Sequence, residues 1–83
     1  MNFCILYGKI ISDIKFDFIY KAKDISIARF YIEISNKSII QVKAYNELAD
    51  YVYSKLEKGS MILIKGKLYG SYVFAEEVNS FFK

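Results

Sequence analysis

Apolar and polar residues alternate with a period of two along much of this chain, the mark of strands with one buried face. From about Ile25 to Ile34, Phe30, Ile32 and Ile34 fall on one side and Arg29, Tyr31 and Glu33 on the other. From Ile39 to Tyr45, Ile40, Val42 and Ala44 oppose Ile39, Gln41, Lys43 and Tyr45. In a further strand Ile62, Ile64, Gly66 and Leu68 oppose Met61, Leu63, Lys65 and Lys67. The first strand region runs from about Asn2 to Ile11, with Gly8 as a bend. Ser12-Asp13 interrupts it, and Ile14, Phe16 and Phe18 then alternate with Lys15 and Asp17. A last strand covers about Tyr72 to Phe81. The spacing changes once: Leu48, Val52 and Leu56 recur every four residues, which predicts a helix from Asn46 to Lys58 with one buried stripe. Asn46 is suited to cap it, Glu47 and Asp50 lie at its positive end, and Gly59 can take a left-handed stop. The turns are a polar Lys21–Asp24, a short Ser35–Ser38 and Tyr69–Ser71.

The expected fold is therefore all-β with one helix, a five-stranded Greek-key barrel with the helix between strands 3 and 4. That is the order of the oligonucleotide-binding (OB) fold, whose open face often holds single-stranded nucleic acid. Residues 1–83 are expected to form a single domain. Such a short chain buries only about 60–65% of its unfolded surface and folds near the margin. Yet 54% of the residues are hydrophobic and 18% aromatic, above the usual apolar share of roughly 45–50%, a surplus expected both to fill the barrel and to be covered by a second subunit. Met61 and Leu63, apolar on a face that should be exposed, point to an oligomer.

Chemistry narrows the choice further. The chain has no His and one Cys, Cys4, so a disulfide within it, a Cys–His metal site and His acid–base catalysis are excluded. No catalytic residues, no metal, no cofactor and no enzymatic activity are expected. No apolar run is long enough to cross a bilayer and no signal peptide is evident, so no membrane association and a cytoplasmic location are expected. The net charge of +3 is mild, but its placement is telling. Lys37 and Lys43 are the only charges between Asn36 and Asn46, and Lys65 and Lys67 the only ones between Gly59 and Ala75. Single strands bind where cations track phosphates and aromatic faces stack on bases. Tyr45, Lys43, Arg29, Tyr31, Lys65, Lys67, Tyr72 and Lys37 are the candidate nucleic-acid-binding residues. Four of them also have a plainer reading: Tyr45 as a cover for the barrel end, Tyr31 as cross-strand packing, Lys65 and Lys67 as solvated residues that discourage edge pairing. Lys21 and Lys23 read as a solvated turn, and Tyr51 and Tyr53 as packing residues of the helix.

Several segments in order resemble bacterial single-stranded-DNA-binding proteins over nearly the whole length. Asn2 to Gly8 followed by Asp13 looks like that family's first strand, and Ile27-Ala28-Arg29-Phe30 its second. Tyr45-Asn46-Glu47-Leu48-Ala49 resembles the segment where an aromatic residue precedes the helix. Lys58-Gly59-Ser60 through Gly66-Lys67-Leu68 resembles the helix exit and fourth strand. The resemblance implies binding of single-stranded DNA with little sequence preference, in replication, recombination or repair. It also implies a homodimer or homotetramer formed through the first strand, with a replication protein as a possible partner. It maps the family's stacking aromatic onto Tyr45; a second stacking position falls on Ile39, and Tyr72 stands near a third. The family's long hairpin loops are short here, and its acidic tail has no counterpart in these 83 residues, which end Phe81-Phe82-Lys83. In its minimal length the chain is similar to primosomal replication protein B, a dimeric OB relative lacking such a tail. Two other readings stay open: an oligomeric protein-interaction module of a replication complex with weak or no nucleic-acid binding, and binding of RNA.

Overall fold

Strands β1 (Cys4–Ile10), β2 (Lys15–Ile19), β3 (Ala22–Glu33) and β4 (Ile39–Tyr45) lead to one helix, α1 (Glu47–Lys55). Strands β5 (Met61–Tyr69) and β6 (Tyr72–Ser80) follow it. The computed structural model describes residues 2–19 and 22–81. The strands are ordered β1-β5-β6-β4-β3-β2, and β1 also pairs with β3, so the sheet closes on itself as the OB topology requires. All pairings are antiparallel except β4 with β6, which is parallel.

The strand count is six among the described residues rather than the expected five, because the first strand breaks. Lys9 and Ile10 pair with Glu33 and Ile32; after the break Lys15 and Phe16 pair with Arg29 and Ala28. Residues 11–14 are thus set against only Phe30 and Tyr31, and the surplus kinks the chain as a bulge does. The kink is pinned from both sides. The Ile11 N–H donates to the Tyr31 carbonyl at 2.9 Å, and the Tyr31 N–H donates to Ser12 Oγ at 2.9 Å. The helix therefore falls between β4 and β5, which is between the third and fourth strands if β1 and β2 are taken as one bent strand.

Alternation decided the core correctly in β4, where Val42 and Ala44 are buried and Ile40 packs against them. Phe30, Ile10, Ile32, Ile62 and Ile64 are the largest side chains sealed inside. Each contributes about 1.5–3 kcal/mol by leaving water. Val52, Leu56 and Ala49 of the helix segment close one end of the barrel, with Leu48 and Tyr51 packed beside them. Gly8 passes so close to β3 that an added Cβ would lie 2.6 Å from the Glu33 carbonyl oxygen, so the residue serves a close approach.

Several local expectations are corrected. The helix stops at Lys55, short of Lys58, because Ser60 Oγ takes the Glu57 N–H at 3.1 Å and folds the chain into a turn. Gly59, at φ 99°, sits in that turn and donates its N–H to the Ile10 carbonyl at 2.7 Å, tying the helix exit to β1. Asn46 makes no side-chain cap; its Oδ1 accepts the Ser26 N–H at 3.3 Å instead. Leu68 is 51% exposed although it shares the parity of the buried residues Ile62 and Ile64. β1 begins at Cys4 opposite Gly66, so β5 has outrun its neighbour there. The Asn2 side chain substitutes for the missing ladder, bonding both the Leu68 N–H and carbonyl. Phe18 likewise stands exposed near the end of β2. The last strand ends at Ser80; Phe82 and Lys83 lie outside the described residues, as does Lys21 of the expected 21–24 turn, and from Ala22 the chain is already in β3.

Candidate functional site

Registered pairing sets the outward residues of five strands into two adjacent rows that cross the strands. The first row runs Lys67, Phe74, Lys43, Arg29, Lys15 over β5, β6, β4, β3 and β2. The second runs Tyr69, Tyr72, Gln41, Tyr31 over β5, β6, β4 and β3. Paired residues share a face and neighbouring strands lie about 4.8 Å apart, so each row is a continuous ridge. One ridge is mainly cationic and the other mainly aromatic.

The rings meet. Phe74 lies 5.5 Å from Tyr45 and 6.3 Å from Tyr69 between centroids, and Tyr69 lies 6.0 Å from Tyr72. Lys43 Nζ sits 4.0 Å above the Tyr72 ring, a cation–π contact that holds the ammonium over the aromatic row. Tyr45, Phe74 and Tyr72 are half-buried and Tyr69 exposed, so the cluster is anchored by its edges while remaining open to solvent. Tyr45 is fixed from behind: the next residue, Asn46, has φ 57° and is held to β3 by its N–H on the Ser26 carbonyl at 2.9 Å and by the Oδ1 contact. Ser26, buried, also donates its hydroxyl to the Asn46 carbonyl.

The cations differ in how they are engaged. Among the described residues there are three ion pairs: Arg29 with Asp17 at 3.4 Å, Lys67 with Glu76 at 3.6 Å and Lys65 with Glu77 at 4.0 Å. Lys65 and Lys67 were expected as unopposed cations, since Glu76 and Glu77 are distant in sequence. Antiparallel pairing of β5 with β6 brings them across, and a register shift between Lys65 and Gly66 leaves both carboxylates outward. Lys43 and Lys15 enter none of these pairs. Lys37 is not brought to the cluster: it lies in the one-turn Ser35–Lys37 helix before β4, while Tyr45 ends that strand, about 20 Å away by strand rise. Ile39 is exposed at that same far end.

Structure thus gathers Tyr45, Lys43, Arg29, Tyr31, Lys67 and Tyr72 on one surface, with Lys65 at its margin. It adds Phe74, Tyr69, Gln41 and Lys15. Phe74 and Lys15 were legible as outward positions in alternating stretches, but the parallel pairing that carries Phe74 to Lys43 leaves no trace in either strand alone. Among the described residues no three acidic, Cys or His side chains gather as a metal site.

A second apolar surface lies elsewhere, on β1. Phe3, Ile5 and Tyr7 are each more than half exposed, Met61 and Leu63 of β5 lie beside them, and Phe81 meets Tyr7 edge-on at 5.2 Å. Among the described residues β1 pairs with β5 from Cys4 to Lys9 but with β3 only at Lys9 and Ile10, which leaves one edge of its first half without a partner strand among them.

No family model matches the chain, and no curated protein matches it. Solved structures do. The crystal structure of the SSB domain of a Synechococcus protein is similar at TM-score 0.87 and 14% identity, covering 94% of this chain and 93% of that one. The wild-type single-stranded DNA binding protein of Thermus aquaticus is similar at TM-score 0.89 and 22% identity, covering 100% of this chain and 41% of that one. A deletion mutant of the same protein gives 0.89 and 21%. The chain spans about two fifths of the Thermus aquaticus protein. These likenesses establish the fold.

Proposed function

We propose that this chain is a non-catalytic member of the bacterial single-stranded-DNA-binding proteins and holds unpaired DNA with little sequence preference. The observation that carries the reading is the pair of transverse ridges: Lys67, Lys43, Arg29 and Lys15 can follow phosphates while Tyr45, Phe74, Tyr69 and Tyr72 stack bases. The shared fold with proteins described as binding single-stranded DNA supports it. Replication, recombination or repair is the setting this activity serves.

A labelled oligo-dT titrated across salt concentrations tests the proposal. With Lys15, Lys43 and Arg29 as the principal phosphate contacts, the log–log salt slope is expected near −2, at about 0.7 for each phosphate neutralised on a single strand. Absence of binding at low salt overturns the reading. Light scattering on the same samples tests the accompanying proposal that the open edge and apolar face of β1 pair two copies. The expected mass is that of at least a dimer of the 9.7 kDa chain.

Glu76 and Glu77 compete with phosphates for Lys67 and Lys65. Replacing both by Gln is expected to raise affinity about threefold, the scale of exposed ion pairs. The salt slope should steepen by about 0.7 for each lysine released. Unchanged affinity and slope would show that those lysines lie off the DNA path.

That opposition also supports the second reading, an oligomeric protein-interaction module with weak nucleic-acid binding. A protein partner recovered after nuclease treatment, from a chain that fails to bind oligo-dT, would favour it.

A further inference from the structure

Strand β2 ends the strand order: it pairs with β3 alone, so its outer edge carries no partner strand among the described residues. Such an edge is a template for another strand. We propose that it pairs with the β2 edge of a second copy of this chain, antiparallel and about a twofold axis through Phe16. This contact is separate from the open edge of β1.

The segment around Phe16 is complementary to itself. In Ile14-Lys15-Phe16-Asp17-Phe18 apolar and charged residues alternate, and the two charges are opposite. Pairing about Phe16 sets each copy's Lys15 opposite Asp17 of the other. On the other face it sets Phe16 against Phe16 and Ile14 against Phe18. Opposite charges and aromatic pairs directly across from one another are what stabilises antiparallel strands. Residues that face each other across a pair lie on one side of the sheet, so in a symmetric pair the axis passes through a residue. Centred on Lys15 the pair would oppose two lysines, and centred on Asp17 two aspartates. Centred on Phe18 it would set Asp17 against Ile19 and lose the ion pairs. An edge guarded by charges of one sign repels a second copy; this one matches it.

The groups stand ready for the contact. Phe18 is 60% exposed, and Lys15 and Asp17 are exposed beside it. Phe16 is stacked on Tyr53 at 4.9 Å and met edge-on by Phe18 at 5.6 Å, so the apolar row has a fixed backing. Asp17 reaches Arg29 of its own copy at 3.4 Å, with both side chains open to solvent. A carboxylate accepts several donors, so Asp17 takes Lys15 of the second copy without giving up Arg29. Five residues from each copy make a small contact, in the range of transient association. Lys15 also ends the cationic row, so the contact sets the rows of two copies end to end, side by side on one strand of DNA.

Sedimentation velocity of the protein without DNA, over a rising concentration series, tests this. Lys15→Glu and Asp17→Lys each place like charges across the axis and should weaken self-association beyond the β1 pair about tenfold. An equimolar mixture of the two variants restores opposite charges and should regain the wild-type mass. Both variants stay net positive, two charges below and two above +3, so general attraction between them does not account for the recovery. Phe18→Ser changes a side chain exposed in the fold and should also weaken association, with no recovery on mixing with either charge variant. Variants that sediment as the wild-type protein does, or a mixture no heavier than its parts, overturn the inference whether or not the chain binds oligo-dT. Recovery on mixing in a chain that fails to bind oligo-dT supports the contact and removes the DNA reading alone.

Discussion

Gly66→Ala is expected to destabilise the barrel by about 3 kcal/mol or more, the upper range for overpacking a well-filled interior. The cause is backbone, not side chain: a Cβ on Gly66 would sit 2.1 Å from the Phe74 carbonyl oxygen and 3.0 Å from its carbon. A flexible neighbour could turn aside; a carbonyl in a strand can retreat only by breaking the β5–β6 ladder. That ladder already carries a register shift at this point, with Lys65 opposite Glu77 but Gly66 opposite Ala75. The shift turns Glu76 and Glu77 outward while Ala75 and Val78 stay buried. Thermal unfolding provides the measurement. At about 4–8 °C per kcal/mol for a domain of this size, the midpoint should fall by well over 10 °C. Gly70→Ala is the comparison. Gly70 has φ 53° and nothing within 4 Å of a built Cβ, so only left-handed strain of about 1–2 kcal/mol opposes it. If the two variants melted alike, the close passage of β5 over Phe74 would be refuted.

That passage also explains which parts of the architecture could be read from residues in order. Strand β4 and the second half of β3 were legible because they bury every second residue, and Val42, Ala44, Phe30 and Ile32 are sealed as that rule demands; earlier in β3, Ser26, Ile27 and Ala28 are buried in succession. The helix was legible from its four-residue repeat, though its end was set by Ser60 and by a tie to Ile10, neither of which belongs to the repeat. The kink at residues 11–14 showed only as a break in pattern; its role emerges once both flanking segments are seen on β3. Register between strands was invisible. For that reason Lys65 and Lys67 seemed unopposed, and Phe74, Tyr69 and Gln41 were not counted among the site residues although Tyr45, Lys43 and Tyr72 beside them were. Single-strand patterns say which face a residue takes, and only pairing says what it meets there.

The largest effect on binding is expected from removing Tyr45 and Phe74 together. A base stacked on an aromatic ring is worth about 1–3 kcal/mol by alanine substitution, so either change alone should weaken oligo-dT binding roughly tenfold. The rings touch at 5.5 Å, tilted 36° to each other, so they support one another's orientation as well as any base laid on them. Neighbours in contact do not contribute independently. The double variant should therefore lose between about thirty- and a hundredfold, short of or equal to the product of the singles. Tyr45→Phe, which keeps the ring and drops the hydroxyl, should retain most of the affinity, because stacking uses the π face. Tyr53→Ala is the surface control: that ring is exposed on α1, packs on Phe16 at 4.9 Å and belongs to neither ridge, so its loss should leave binding in place. Since neither Tyr45 nor Phe74 carries charge, the salt slope of the double variant should match that of the unmodified chain even as the curve shifts to weaker binding. Equal loss from Tyr53→Ala, or full affinity in the double variant, would move the contact surface off these strands.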